Sequence, residues 1–115
     1  MHEGPADQLL FSYGILQYAE VQLDTFGRLL AGEPDSLPGY TTDYAEVSDQ
    51  RIVDVSGKSV HPVVRATGSP LDKVLGRALH VTQSELDAAD SFEVAMYRRI
   101  SVTLGSGRDA WVYVG

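Results

Sequence analysis

Hydrophobic and polar positions alternate along this chain in short bursts, which predicts a strand-rich fold with few helices. Gln8-Leu9-Leu10-Phe11-Ser12-Tyr13 is apolar and aromatic and stops at Gly14, the pattern of a buried strand running into a turn. Glu20 to Gly27 fits a short helix or turn with Gly27 as its stop. Glu33-Pro34-Asp35-Ser36-Leu37-Pro38-Gly39 reads as punctuation by Pro and Gly. Tyr40 to Val47 and Ile52 to Val55 read as strand pieces, with Ser56-Gly57-Lys58 as a turn. Pro62 to Thr67 and Val74 to Val81 are further strands, separated by Gly68-Ser69-Pro70. Thr82-Gln83-Ser84-Glu85 has the spacing of a capping box, in which the hydroxyl and the carboxylate each accept the other residue's amide. A helix therefore starts there and runs through Leu86 and Ala89. After Tyr97 the period returns to two, with Ile100, Val102 and Leu104 on one face. Gly105-Ser106-Gly107 turns the chain, and Ala110 to Val114 is the return strand. The expected fold is α+β: a small mixed β-barrel with one or two short helices, closure being one way to remove exposed sheet edges.

Length and composition narrow the picture further. At 115 residues the chain is expected to form one domain, residues 1–115, because it contains no linker or repeat that would divide it. The absence of cysteine excludes disulfides and thiolate metal sites and fits a reducing compartment. Nine basic against 16 acidic residues leave a net charge of −7, which opposes binding to nucleic acid or to an anionic membrane surface. The start, Met1-His2-Glu3-Gly4-Pro5, lacks a basic region followed by a long apolar run, so no signal peptide is expected. No stretch reaches the ~20 apolar residues of a membrane helix, and a soluble, cytoplasmic protein is the expectation.

Two segments carry candidate chemistry. Glu93 falls at or just past the end of the helix that begins after Thr82, where the macrodipole disfavours a carboxylate. Asp87 and Asp90 nearby, with apolar Phe92, Val94 and Met96, would push its pKa upward, toward the range of a general acid and base. The plainer alternative is a solvated loop acid. The turn Tyr13-Gly14-Ile15-Leu16, directly after a buried strand, can aim successive N–H groups at one anion, with Gly14 allowing close approach; the plainer alternative is an ordinary β-turn. Tyr97 and Tyr113 are candidates to lend hydroxyls to a pocket or, more simply, to pack. Arg98 and Arg99 alternate across a strand, so at most one faces any given site. His2, His61 and His80 are far apart in sequence, and no metal is expected.

Several of these segments, taken in order, resemble the gamma-glutamylcyclotransferase-like (AIG2-like) family. Leu10-Phe11-Ser12-Tyr13-Gly14-Ile15-Leu16 is similar to its opening strand and Tyr-Gly loop, and Leu37-Pro38-Gly39-Tyr40 to its following Gly-Tyr element. His61-Pro62-Val63-Val64 and Val74-Leu75-Gly76-Arg77-Ala78-Leu79 resemble its next two strands. Asp90-Ser91-Phe92-Glu93 with Tyr97-Arg98-Arg99 resembles its Asp-x-x-Glu…Tyr-x-Arg segment. The likeness extends from about Leu9 to Val114, with two departures: Ile15 stands where many members have Thr or Ser, and Val94 where a glycine often follows the Glu.

The resemblance implies a fold built around a small barrel with a cavity at the Tyr-Gly loop. It further implies an enzyme that cyclises a γ-glutamyl amine or peptide to 5-oxoproline. On that basis Tyr13, Gly14, Ile15 and Leu16 form the substrate loop, Glu93 is the catalytic acid/base, and Tyr97 and Tyr113 lie at the pocket. The nucleophile belongs to the substrate, so no cofactor is expected. The expected partner is a small γ-glutamyl compound or related amino-acid derivative, with no nucleic acid or membrane, acting on a monomer or weak homodimer. The alternatives are a protein that binds such a metabolite without turnover and an interaction domain with no ligand.

Overall fold

The computed structural model describes residues 6–46, 60–92 and 97–114. Among these residues the elements are β1 (Gln8–Ser12), a 3-10 turn (Ile15–Gln17), α1 (Ala19–Phe26), β2 (Gly32–Pro38), β3 (Tyr40–Glu46), β4 (Val60–Ala66), β5 (Lys73–Val81), α2 (Gln83–Phe92), β6 (Arg98–Thr103) and β7 (Asp109–Val114). Five strands form a mixed sheet in the order β2-β5-β1-β7-β6, and β3 and β4 form a separate antiparallel ribbon. In the centre, β1 pairs antiparallel with β5 and parallel with β7, with Phe11 opposite Ala78 on one side and Val112 on the other.

Period-two alternation sorts the core into two layers. Leu10, Val81 and Tyr113 join Leu16, Val21, Leu86 and Ala89 in a cluster that holds α1 and α2 on one face of the sheet. Phe11, Val74, Ala78, Val112 and Val114 face the other way and pack with Val64 of the ribbon. Neighbours on one strand therefore serve opposite layers, as pleat geometry requires. Each buried Leu, Val or Phe contributes about 1.5–3 kcal/mol relative to exposure.

Most of the expected elements form. The strands at Gln8–Tyr13, Tyr40–Val47, Pro62–Thr67 and Val74–Val81, the helix ending at Gly27, and the final hairpin are all present within a residue or two. Gly27 takes φ 75°, the left-handed cap favoured by glycine, and its N–H donates to Leu23 O at 3.0 Å. The Thr82–Glu85 box is complete: Glu85 N–H donates to Thr82 Oγ1 at 3.1 Å, and Thr82 N–H to Glu85 Oε1 at 2.9 Å. The strand expected at Ile52–Val55 and the turn at Ser56–Lys58 lie outside the described residues.

Two features differ from expectation. The Pro-rich run at 33–39 is a strand, β2, paired along its length with β5 from Gly32–Leu79 to Pro38–Lys73. Its prolines are tolerated because β2 is an edge strand. Ser36 turns its carbonyl away from β5 to accept Gly105 N–H at 2.8 Å. Pro34 and Pro38 share that outward parity, so their missing N–H groups remove no rung of the ladder.

The second difference is that the described strands form no closed barrel. The sheet instead curls until the β6–β7 turn reaches β2. Asp35 Oδ1 accepts Ser106 N–H at 3.1 Å, while Oδ2 accepts the Ser106 hydroxyl at 2.6 Å and Arg108 at 2.9 Å. This polar stitch joins the two edges at one end, and the ribbon packs through Val64 against the face of the sheet.

Candidate functional site

The turn after β1 forms because Gly14 O accepts the Gln17 N–H at 3.1 Å, closing the 3-10 turn Ile15–Gln17. Leu16 anchors it in the helix-side core, 3% exposed, so its side chain is out of reach of a ligand. Gln22 of α1 fixes the turn from behind. It is buried, donates from Nε2 to Leu16 O at 2.9 Å, and accepts Leu30 N–H at 2.9 Å. The first amides of a helical turn have no carbonyl within that turn to pair with.

Tyr13 is half-buried, and its hydroxyl donates to the main-chain carbonyl of Tyr113 at 2.6 Å. The Tyr113 hydroxyl donates in turn to Asp90 Oδ1 at 2.7 Å. Asp90 Oδ2 lies 3.2 Å from Arg99 Nη2, and the Arg99 guanidinium stacks over Trp111 at 4.6 Å from the ring centre. Tyr97 donates its hydroxyl to Pro62 O at 2.9 Å. The same proline lies beside Gly14: a Cβ built there would sit 3.6 Å from Pro62 Cγ.

Five of the seven expected site residues, Tyr13, Gly14, Leu16, Tyr97 and Tyr113, are thus linked through direct bonds, a shared proline and one packed cluster. Ile15 opens the turn, and Glu93 lies outside the described residues, one position beyond the last residue of α2. The expected alternation of Arg98 and Arg99 holds. Arg99 engages Asp90, and Arg98 lines a crevice of about 300 Å³ with Tyr40, Asp43, Arg65, Ile100 and Val114. Tyr13, Gly14 and Leu16 do not line that crevice, which runs between the ribbon and β6.

Sequence reasoning missed Gln22, and it named Asp90 and Arg99 only as members of the Asp-x-x-Glu…Tyr-x-Arg likeness, with Asp90 otherwise one more crowding charge. The carboxylate of Asp90 is instead met by a cation and a hydroxyl. A signal was available. Counting back from the Gly105–Gly107 turn pairs Arg99 with Tyr113, the two residues that meet Asp90. Among the described residues, no group of three or more His, Asp or Glu side chains is arranged to hold a metal ion, and no helix is long and apolar enough to cross a membrane.

A mixed sheet with two helices on one face, a ribbon on the other and a tyrosine–glycine turn closing its central strand defines an α+β class. The chain belongs to the gamma-glutamyl cyclotransferase, AIG2-like family, whose model matches residues 10–115. In structure it is similar to At3g28950.1 from Arabidopsis thaliana (TM-score 0.72, 21% identity, 99% of this chain and 65% of that one). It is also similar to a gamma-glutamyl cyclotransferase (TM-score 0.72, 19% identity, 93% and 65%). A third likeness is to the uncharacterized protein loc79017 from Homo sapiens (TM-score 0.69, 21% identity, 93% and 65%). The chain therefore spans 65% of the length of each of these three. No curated protein sequence matches it.

Proposed function

We propose that this protein cyclises a γ-glutamyl amine or peptide to 5-oxoproline and releases the free amine. The substrate carboxylate rests on the main-chain amides of the Tyr13–Leu16 turn, with Tyr97 and Tyr113 beside it. Glu93 takes a proton from the α-ammonium, and the resulting amine attacks the γ-carbonyl carbon of the same molecule. As the bond from that carbon to the departing nitrogen breaks, Glu93 returns that proton to the leaving amine, and the second proton shed by the attacking nitrogen goes with it, so that the amine departs as its ammonium and the lactam keeps one N–H. No water is consumed. The protein supplies orientation and proton transfer, and positioned acid/base groups of this kind contribute roughly 100- to 10,000-fold.

The observation that carries this reading, beside family membership, is the Tyr13–Tyr113–Asp90 chain of hydrogen bonds. It ties the turn after β1 to the last turn of α2, three residues before Glu93. The test is Glu93→Gln, assayed for 5-oxoproline release from a panel of γ-glutamyl amides. Turnover is expected to vanish while the fold and ligand-induced stabilisation persist; undiminished turnover would overturn the mechanism. Ile15, which brings no hydroxyl to the turn, favours a second reading, binding without chemistry. That reading expects ligand-induced stabilisation with no 5-oxoproline from the unaltered protein.

A further inference from the structure

Asp90 occupies the last turn of α2, where a carboxylate faces the negative end of the macrodipole, and that turn contains no basic residue of its own. Compensation comes from the sheet. Arg99 of β6 lies 3.2 Å from Oδ2, and Tyr113 of β7 donates to Oδ1 at 2.7 Å. Arg99 is itself held against Trp111 and is 20% exposed, so it is a fixed partner rather than a mobile surface cation. Arg99 and Tyr113 are direct cross-strand partners, and their two side chains form one platform beneath the helix end. The main-chain carbonyl of Tyr113 also accepts the Tyr13 hydroxyl, so one residue of β7 is bonded to the helix end and to the start of the turn.

We infer that Asp90 is a positioning residue for catalysis, and this inference rests on the reading of Glu93 and the Tyr13–Leu16 turn given above. The last carbonyls of a helix have no partners within it, so a terminal turn frays unless tertiary contacts hold it. Asp90 supplies that contact. By pinning the last turn of α2 to Tyr113 and Arg99, it fixes the end of that helix relative to the Tyr-Gly turn. It touches neither substrate nor reacting atoms and acts through the geometry of the residues that do. A displacement of about 1 Å in a reacting group is enough to lower a rate by roughly 100-fold.

The experiment compares the unaltered chain with Asp90→Ala, Asp90→Asn, Tyr113→Phe and the Ala/Phe double variant. Each is assayed for 5-oxoproline release from the γ-glutamyl amide the unaltered chain turns over best, with circular dichroism and melting curves alongside. Asp90→Ala is expected to lower kcat by about 10- to 100-fold with KM changed less than about 3-fold, the split of a misplaced proton-transfer group rather than lost binding. Asp90→Asn keeps an amide oxygen that can accept the Tyr113 hydroxyl, and it should recover kcat to within about 3-fold of the unaltered chain. The double variant should be no slower than the worse single variant, because both changes cut one link.

The inference is overturned if Asp90→Ala keeps kcat within about 2-fold, if its loss falls wholly in KM, or if Asn fails to rescue a folded protein. Should Asp90→Ala not fold, the contrast between Asp90→Asn and Tyr113→Phe decides the matter. An unaltered chain that releases no 5-oxoproline from any amide refutes the catalytic reading and this role together. An active chain indifferent to Asp90 refutes this role alone.

Discussion

Glu85 is the residue whose removal tests the physical account of the fold most sharply. Its side chain is 5% exposed and makes three bonds at once. It caps the helix through Thr82 N–H at 2.9 Å, and it holds Arg28 in a bidentate pair at 2.7 and 2.8 Å. Glu85→Ala leaves a buried N–H without its acceptor, worth about 1–3 kcal/mol. It also removes a half-exposed ion pair worth about 1 kcal/mol. The expected loss is roughly 2–4 kcal/mol, which for a chain of this size lowers the urea midpoint by about 1–2 M. Glu85→Gln keeps an oxygen for the cap and sacrifices the charge, so its loss should be nearer about 1 kcal/mol.

The pH dependence is fixed in sign. Burial alone would raise the Glu85 carboxyl, but the bonds from Arg28 and the Thr82 amide outweigh it and hold the group below its ordinary value. Its contribution is therefore present above the ordinary carboxyl pKa and is lost as pH falls through the folded value. Urea titrations of the three proteins between neutral and acid pH measure all of this. A Glu85→Ala midpoint lowered by less than about 0.3 M, or a Gln variant as damaged as Ala, would refute the assigned cap and pair.

Two further outcomes are expected. Gly76→Ala would place a Cβ 2.3 Å from Ser12 O and 2.8 Å from Phe11 Cζ, so strands β1 and β5 must separate; the melting temperature should fall by an amount equivalent to roughly 2–3 kcal/mol, and an unchanged melt would contradict that close approach. At the stitch between β2 and the β6–β7 turn, Asp35 is raised by burial but held below its ordinary value by bonds from Ser106, the Ser36 amide and Arg108, while Glu33 is lowered by Arg108 and His80. Both carboxylates then stabilise the fold above the ordinary carboxyl range and cease to as pH falls through their folded values, so the gap in urea midpoint between the unaltered chain and Arg108→Gln should shrink from pH 6 toward acid; a constant gap would show that the charges play no part.

The sequence by itself determined what depends on neighbours a few residues apart. The capping box at Thr82, the stop at Gly27, the Gly105–Gly107 turn and the alternation of Leu10 with Phe11 all follow from local spacing, because each is closed by bonds or pleat geometry within one element. Family membership was likewise legible, through ordered motifs such as the Tyr-Gly turn that resemble the family. Tertiary structure decided the rest, where meaning lay in a distant partner. Glu33–Pro38 reads as breaker sequence until β5 lies beside it and leaves its prolines on the outer side. The open edges of the five-stranded sheet are met at one end by a side-chain stitch from Asp35 to Ser106 and Arg108, 71 and 73 positions away. Asp90 looked like a repulsive charge until folding set Arg99 and Tyr113 against it. A carboxylate's role depends on which cation and which hydroxyl reach it, and chain spacing does not encode that when the partners arrive on other strands.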